Sequence, residues 1–252
     1  MDKAKTFLWG AAIVVIFFLF WELAGALQWV NPLFIPPFSK IVKNTCRMLF
    51  HKSLMRDMAV SAARAAAGTA LAVVLGVPAG LVLGLPYRAP RIVLDSLTGV
   101  LSQINPFILF HILILFLGIG EQTKITIIVW AALWPIVFNT ASGIEDSDRI
   151  LFKAGRAFGG GRITFFYKVV LPAAAPRIFS GIRIGAGYSL FMLIAAEMMG
   201  GKSGLGWQIV NYQVSFQIEN IFSVALVIAL LGIFFDGVIA GIQKIFLRGI
   251  SA

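Results

Sequence analysis

Charge is scarce in this chain. Only 13% of its 252 residues are Asp, Glu, Lys or Arg, while 59% are apolar, and that balance excludes an ordinary soluble domain. Cysteine is nearly absent. A lone Cys46 rules out an intramolecular disulfide and reads as a small apolar filler. The two histidines, His51 and His111, fall on different segments with no carboxylate or cysteine at ligand spacing, so no metal site is expected. Enzyme signatures are missing too. Without a Gly-x-x-x-x-Gly-Lys-Ser/Thr loop the chain is not expected to hydrolyse ATP. Without a Gly-x-Ser-x-Gly turn it offers no nucleophile elbow. The ten-residue alternating segments of a membrane β-barrel are also lacking.

Long apolar runs are what it has instead. Crossing a hydrocarbon core of ~30 Å takes ~20 predominantly apolar residues. Six stretches approach or exceed that: about 7–27, 59–85, 92–117, 125–140, 178–199 and 221–245. The expected fold is therefore an all-α polytopic membrane protein with six transmembrane helices. The organisation expected is an N-terminal transmembrane helix over 1–30, an external amphipathic segment over 31–58, and a core of five transmembrane helices over 59–252. The first stretch is too long for a signal-peptide core and lacks a small-x-small cleavage site, so it reads as a retained span.

Local features refine this. In 39–50, Ile41, Val42, Thr45, Met48 and Leu49 fall on one face and Lys40, Lys43, Asn44 and Arg47 on another, which predicts a helix lying along the membrane surface with Ser39 as its N-cap. Gly76, Gly80 and Gly84 put a smooth stripe on the second span, where another helix can approach closely; Pro78 predicts a kink there. Arg64 is expected to snorkel to the interface. Gln103, Asn105, Pro106 and His111 lie within the third span, and polar groups at that depth belong on the bundle interior. Gln103, Asn105 and Pro106, with Asn139 in the fourth span and Arg183, Ser189 and Glu197 in the fifth, make the candidate translocation pathway or gate, while His111 reads as a packing histidine. Arg183 is expected about one turn from the cytoplasm, Glu197 at the outer end, and 200–220 as an external loop.

The formal charge of +10 is spread among loops, as in membrane proteins that hold orientation with Lys and Arg. It is not gathered with stacking aromatics, so no nucleic-acid partner is expected. With the N-terminus inside, inner loops carry twelve basic residues and outer loops seven. That favours cytoplasmic termini and a cytoplasmic 144–177.

This last stretch is the longest polar interval between apolar blocks. Acidic Glu145, Asp146 and Asp148 precede a helical pattern over 149–158; Gly159, Gly160 and Gly161 form a turn. A second short helix over 163–170 is expected to stop at Leu171 and Pro172. Its Lys153-Ala154-Gly155, then Gly159, then Leu171-Pro172 resembles the EAA loop of binding-protein-dependent ABC importer permeases. That pattern has Glu-Ala-Ala, three residues, Gly, and a later Leu-Pro. Lys153 stands where Glu is usual and Gly155 replaces the second Ala. Ser61, Arg64 and Gly68, the Gly118-Ile119-Gly120-Glu121 segment with Lys124, and Gly204-Leu205-Gly206-Trp207 resemble the permeases for sulfonates, taurine, nitrate or bicarbonate in the same order.

The resemblance implies a type I ABC importer permease core. Its coupling loop, with Lys153, Ala154, Gly155, Arg156, Phe158, Gly159, Leu171 and Pro172, would dock on the ATPase. It further implies a homodimer with two ATP-binding subunits inside and a solute-binding protein outside, in contact with membrane lipid. ATP and Mg would be used by the partner ATPase and no cofactor bound by this chain. The solute would be small and anionic. The alternative is a gradient-driven secondary transporter or channel, which would need intramembrane proton or ion relays.

Overall fold

The computed structural model describes residues 3–27, 29–50, 52–84, 88–145 and 166–250. Residues 153–159 of the expected coupling loop lie outside them. Nine α-helices are described, with no strand among the described residues: α1 (Lys3–Ala26), α2 (Phe38–Leu49), α3 (Lys52–Gly84), α4 (Arg88–Leu101), α5 (Pro106–Leu117), α6 (Glu121–Glu145), α7 (Leu171–Gly200), α8 (Leu205–Val214) and α9 (Ile218–Ile250). A short π-helix, Phe166–Val170, leads directly into α7.

Close packing of α3, α6 and α7 makes the centre. A methyl group added at Gly76 would meet Ile136 at 3.0 Å, at Gly80 the Val137 carbonyl at 2.6 Å, and at Gly84 Ile144 at 2.7 Å; at Gly68 it would strike Ile128. The contacts keep one register, so α3 and α6 run parallel. In lipid there is no water to squeeze out between helices, and close van der Waals contact over small residues is what holds them. Gly181 and Gly185 of α7 do the same against Pro135 and Ala132 of α6 in the antiparallel sense.

Two parallel neighbours require a return crossing, and α4 with α5 supplies it. Here the expected continuous third span is corrected. Asp95–Leu101 and Pro106–Leu117 form a pair bent by 88°. Pro106 lacks an amide proton and sits in the first turn of α5, while Asn105 accepts a hydrogen bond from the Phe107 amide. That is a helix start, so the chain breaks inside the run expected to form one continuous span.

Four helices are long and apolar enough to cross a membrane, five if the bent pair counts as one, and Ala12–Ala26 is a shorter apolar helix. Six full spans are therefore not established. The helix of the fifth span begins at Leu171, seven residues before its expected start. Leu171 and Pro172 thus open α7, where proline is tolerated because its missing N–H had no partner to lose. They do not stop a preceding helix.

Other expectations about the edges also change. In α2, Ile41, Asn44, Thr45 and Met48 are buried against the start of α9. Asn44 Nδ2 donates to Asn220 Oδ1 at 2.8 Å and Ser223 Oγ at 2.9 Å. The helix leans on protein, which rescues an asparagine assigned to the polar face. Pro37 is at its N-cap without a side-chain bond, because Ser39 is engaged elsewhere. Its amide and hydroxyl donate to Glu22 of α1 at 2.9 and 2.7 Å, and a carboxylate at a helix N-terminus is favourable. Cys46 is exposed, not a filler. Pro78 lies inside the unbroken helix α3.

Candidate functional site

At the end of the bundle where α3 and α6 begin and α7 finishes, a buried polar knot forms around Arg64. Its Nε and Nη2 donate to Glu121 at 2.6 and 2.5 Å. Nη1 donates to Glu197 at 2.7 Å and to the Ser203 carbonyl at 3.0 Å, and Nη2 also reaches Ser203 Oγ at 3.1 Å. A guanidinium has five N–H donors, and these five bonds use all of them. Lys124 adds a second cation to Glu121 at 3.1 Å. The expected snorkelling of Arg64 is thus corrected: it is 7% exposed, because α6 and α7 bring two carboxylates to it.

Glu197 is fully buried and accepts from Ser61 Oγ, Arg64 and the Gly206 amide at 3.0 Å. The Leu205 amide donates to Ser61 Oγ at 2.9 Å, and the Gly204 amide to Asp57 at 3.0 Å. Gln208 donates to the other oxygen of Asp57 at 2.5 Å. Three successive amides at the N-terminus of α8 thus face acidic or hydroxyl oxygens, the arrangement that end of a helix favours. Gly204 has φ +108 and lies so close to the Glu197 carboxylate that a side chain would overlap it. The 200–220 segment is therefore no open loop: it contains α8, with Leu205, Gly206 and Gln208 buried. Burial pushes the Tyr212 hydroxyl above its ordinary pKa, and the charge of Asp57 adds to this.

A second feature lies midway along α7 and α9. Arg183 donates through Nε and Nη2 to the two oxygens of Asp236 at 2.8 and 2.7 Å. At 1.5 Å per residue, Arg183 is about 18 Å from Leu171 and about 26 Å from Gly200 along the axis. It is not one turn from the end, because α7 begins earlier than the apolar run. The pair borders a cavity of about 650 Å³ whose walls include Phe107, Phe191, Ile194, Met198, Ile228 and Phe235.

The remaining candidates are dispersed. Ser189 is buried and accepts from Thr69 Oγ1 at 2.9 Å across the α3–α7 contact. Asn139 donates to the Pro135 carbonyl at 2.8 Å within α6. Gln103 is exposed in the turn between α4 and α5, next to Asn105 and Pro106. Leu171 packs beside Ile144, Val170, Ala174 and Ile178 at the end opposite the knot. Sequence reasoning missed Asp57, Glu121, Lys124, Gln208 and Asp236 as candidates. The last had a readable signal, a solitary acid in the apolar run 221–243. Glu121 and Lys124 lie in the 118–124 segment that carries part of the resemblance, whereas Asp57 and Gln208 are recognisable only once the helices converge.

The described residues form a helical bundle with a bent crossing and a buried ionic end, the class of a polytopic membrane protein, and the comparisons supply its family. The model of the binding-protein-dependent transport system inner membrane component family matches residues 76–252. The chain belongs to this family and is a permease subunit of an ABC transporter, multi-pass in the inner membrane. A probable ABC transporter permease protein of Brucella melitensis is 32% identical over 78% of this chain and 79% of its own length. The taurine transport system permease protein of Escherichia coli is 28% identical over 78% and 73%. A bicarbonate transport system permease protein of Synechococcus elongatus is 31% identical over 78% and 71%. Among solved structures, an inward-facing methionine ABC transporter has a chain that matches with a TM-score of 0.66, at 19% identity, over 81% of this chain and 98% of that one.

Proposed function

We propose that two copies of this chain form the translocation pathway of an ATP-driven importer for a small solute of the sulfonate, taurine, nitrate or bicarbonate class. Two separate ATP-binding subunits supply the hydrolysis, using ATP and Mg, and an extracytoplasmic binding protein delivers the solute. The chain itself is non-catalytic and holds no cofactor. Its termini and the 144–177 stretch face the cytoplasm, and the polar knot faces outward.

The observation that carries this reading is where the coupling stretch joins the bundle. It connects α6 to α7, which pack closely along their length, and both joints, Glu145 and Phe166, lie at the end opposite the knot. A push delivered to that connection is transmitted as movement of rigid helices, the small-displacement switching that packed interfaces support. Lys153, Ala154, Gly155, Arg156, Phe158 and Gly159 make the docking element, and Leu171-Pro172 anchors its exit. Family membership favours this reading over a gradient-driven carrier.

Copurification tests it. The chain is expected to purify with an ATPase subunit and to transport only in vesicles supplied with ATP. Solute uptake by the chain alone in ATP-free vesicles would overturn the reading.

A further inference from the structure

Arg183 and Asp236 are 42% and 52% exposed in their side chains, yet their helices carry them far from either end. A charged pair open to hydrocarbon at that depth is costly, so the opening faces water or protein. What borders it is the cavity between α5, α7 and α9, and no other residue lining that cavity carries a nitrogen or oxygen atom in its side chain. Gly187, also in the lining, has nothing within 4 Å of where a side chain would begin, so the wall beside the pair is open.

The pair is neutral as a whole, and each member uses both of its parallel bonding positions on the other. A simple anion that displaced Asp236 from Nε and Nη2 would leave that carboxylate unpaired among apolar walls, and a cation that displaced Arg183 would strand the guanidinium. Among solutes that open the pair, one bearing both charges satisfies each half, whereas a simple anion can reach only the guanidinium. We propose that Arg183 and Asp236 form the binding site for a small zwitterion, its acid group on the guanidinium, its ammonium on the carboxylate, and its carbon chain against the apolar wall. This rests on the permease reading and narrows it, because the pair then selects zwitterions over bicarbonate, nitrate or simple sulfonates.

The test uses the permease–ATPase complex in lipid nanodiscs without binding protein, so that selection by the latter is absent. Equilibrium dialysis with labelled taurine, a zwitterion, and isethionate, which has a hydroxyl in place of the ammonium, gives two dissociation constants. Taurine is expected to bind on the order of 10–100-fold more tightly. Asp236→Asn is expected to weaken taurine to the level of isethionate. The exchanged double variant Arg183→Asp/Asp236→Arg is expected to restore part of the preference. Equal affinities in the wild-type complex, no binding of either compound, or an Asp236→Asn variant that keeps the full preference would each overturn the proposal. So would a cavity closed by the second copy, detected as failure of both probes. None of these results touches the permease reading, which stands or falls on copurification and ATP-dependent uptake.

Discussion

Arg64 and Glu197 carry the heaviest consequence of any two residues outside the cavity. Each is buried, and removing Arg64 leaves Glu197 without a cation, whereas removing Glu197 leaves Arg64 with Glu121. Breaking a buried ion pair from one side costs about 3–5 kcal/mol. Arg64→Met is therefore expected to lower stability by that order, measured by unfolding of the purified permease in denaturing detergent. Glu197→Gln keeps the shape and the acceptor for Gly206, so a smaller loss is expected. Equal effects of the two variants would count against charge as the organising term. At Gly204 the reason is conformational and steric together: its positive φ and the Glu197 carboxylate beside it exclude any side chain. Gly204→Ala is expected to lose folded protein, whereas Gly99→Ala, where open space surrounds the new methyl, is expected to change little.

Helices are held by their smallest residues. The α3 stripe of Gly76, Gly80 and Gly84 lets α6 approach until backbone carbonyls of α6 lie where side chains would be. Gly80→Leu must push the two helices apart, and overpacking of this sort costs about 1–3 kcal/mol. The expected readout is a lower thermal midpoint of the purified complex together with reduced ATP-driven uptake; an unchanged midpoint would contradict the close packing. The broken crossing of α4 and α5 is another property of this scale. Pro106 and Asn105 start a new helix there, so the second half of that crossing can point in a direction that a continuous helix could not.

Three predictions belong to the whole molecule, because they concern which side of the membrane each end occupies and how one end meets the ATPase. Cys46 is exposed on α2, near the knot end, and is the only cysteine. In intact cells it is expected to react with a membrane-impermeant maleimide, whereas Ala154→Cys in a Cys46→Ser background is expected to react only after permeabilisation. The reverse pattern would invert the topology and with it the coupling role of 144–177. In the same cysteine-free background a cross-linker at position 154 is expected to reach the ATPase subunit. Gly159→Trp is expected to reduce uptake strongly while leaving the complex assembled; normal ATP-driven uptake by that variant would remove the turn from the coupling pathway.

Much of the architecture is decided by one-dimensional facts. Apolar runs of membrane length, glycines four apart and a polar stretch between two spans follow from transfer free energy and side-chain size, which depend on residue type alone. Hence the helical class, the α3 stripe and the family resemblance were legible. Partnership was not. Whether Arg64 snorkels or is buried depends on where Glu121 and Glu197 arrive, and those lie on helices distant in sequence. Asn44 looked polar and exposed until α9 offered Asn220 and Ser223. The pairing of Arg183 with Asp236 likewise arises from two antiparallel helices meeting at matching depth. Composition determined that this chain lives in a membrane and how closely its helices can approach. Only the tertiary structure decided which charges neutralise one another, because a buried charge is tolerated solely where folding brings it an opposite one.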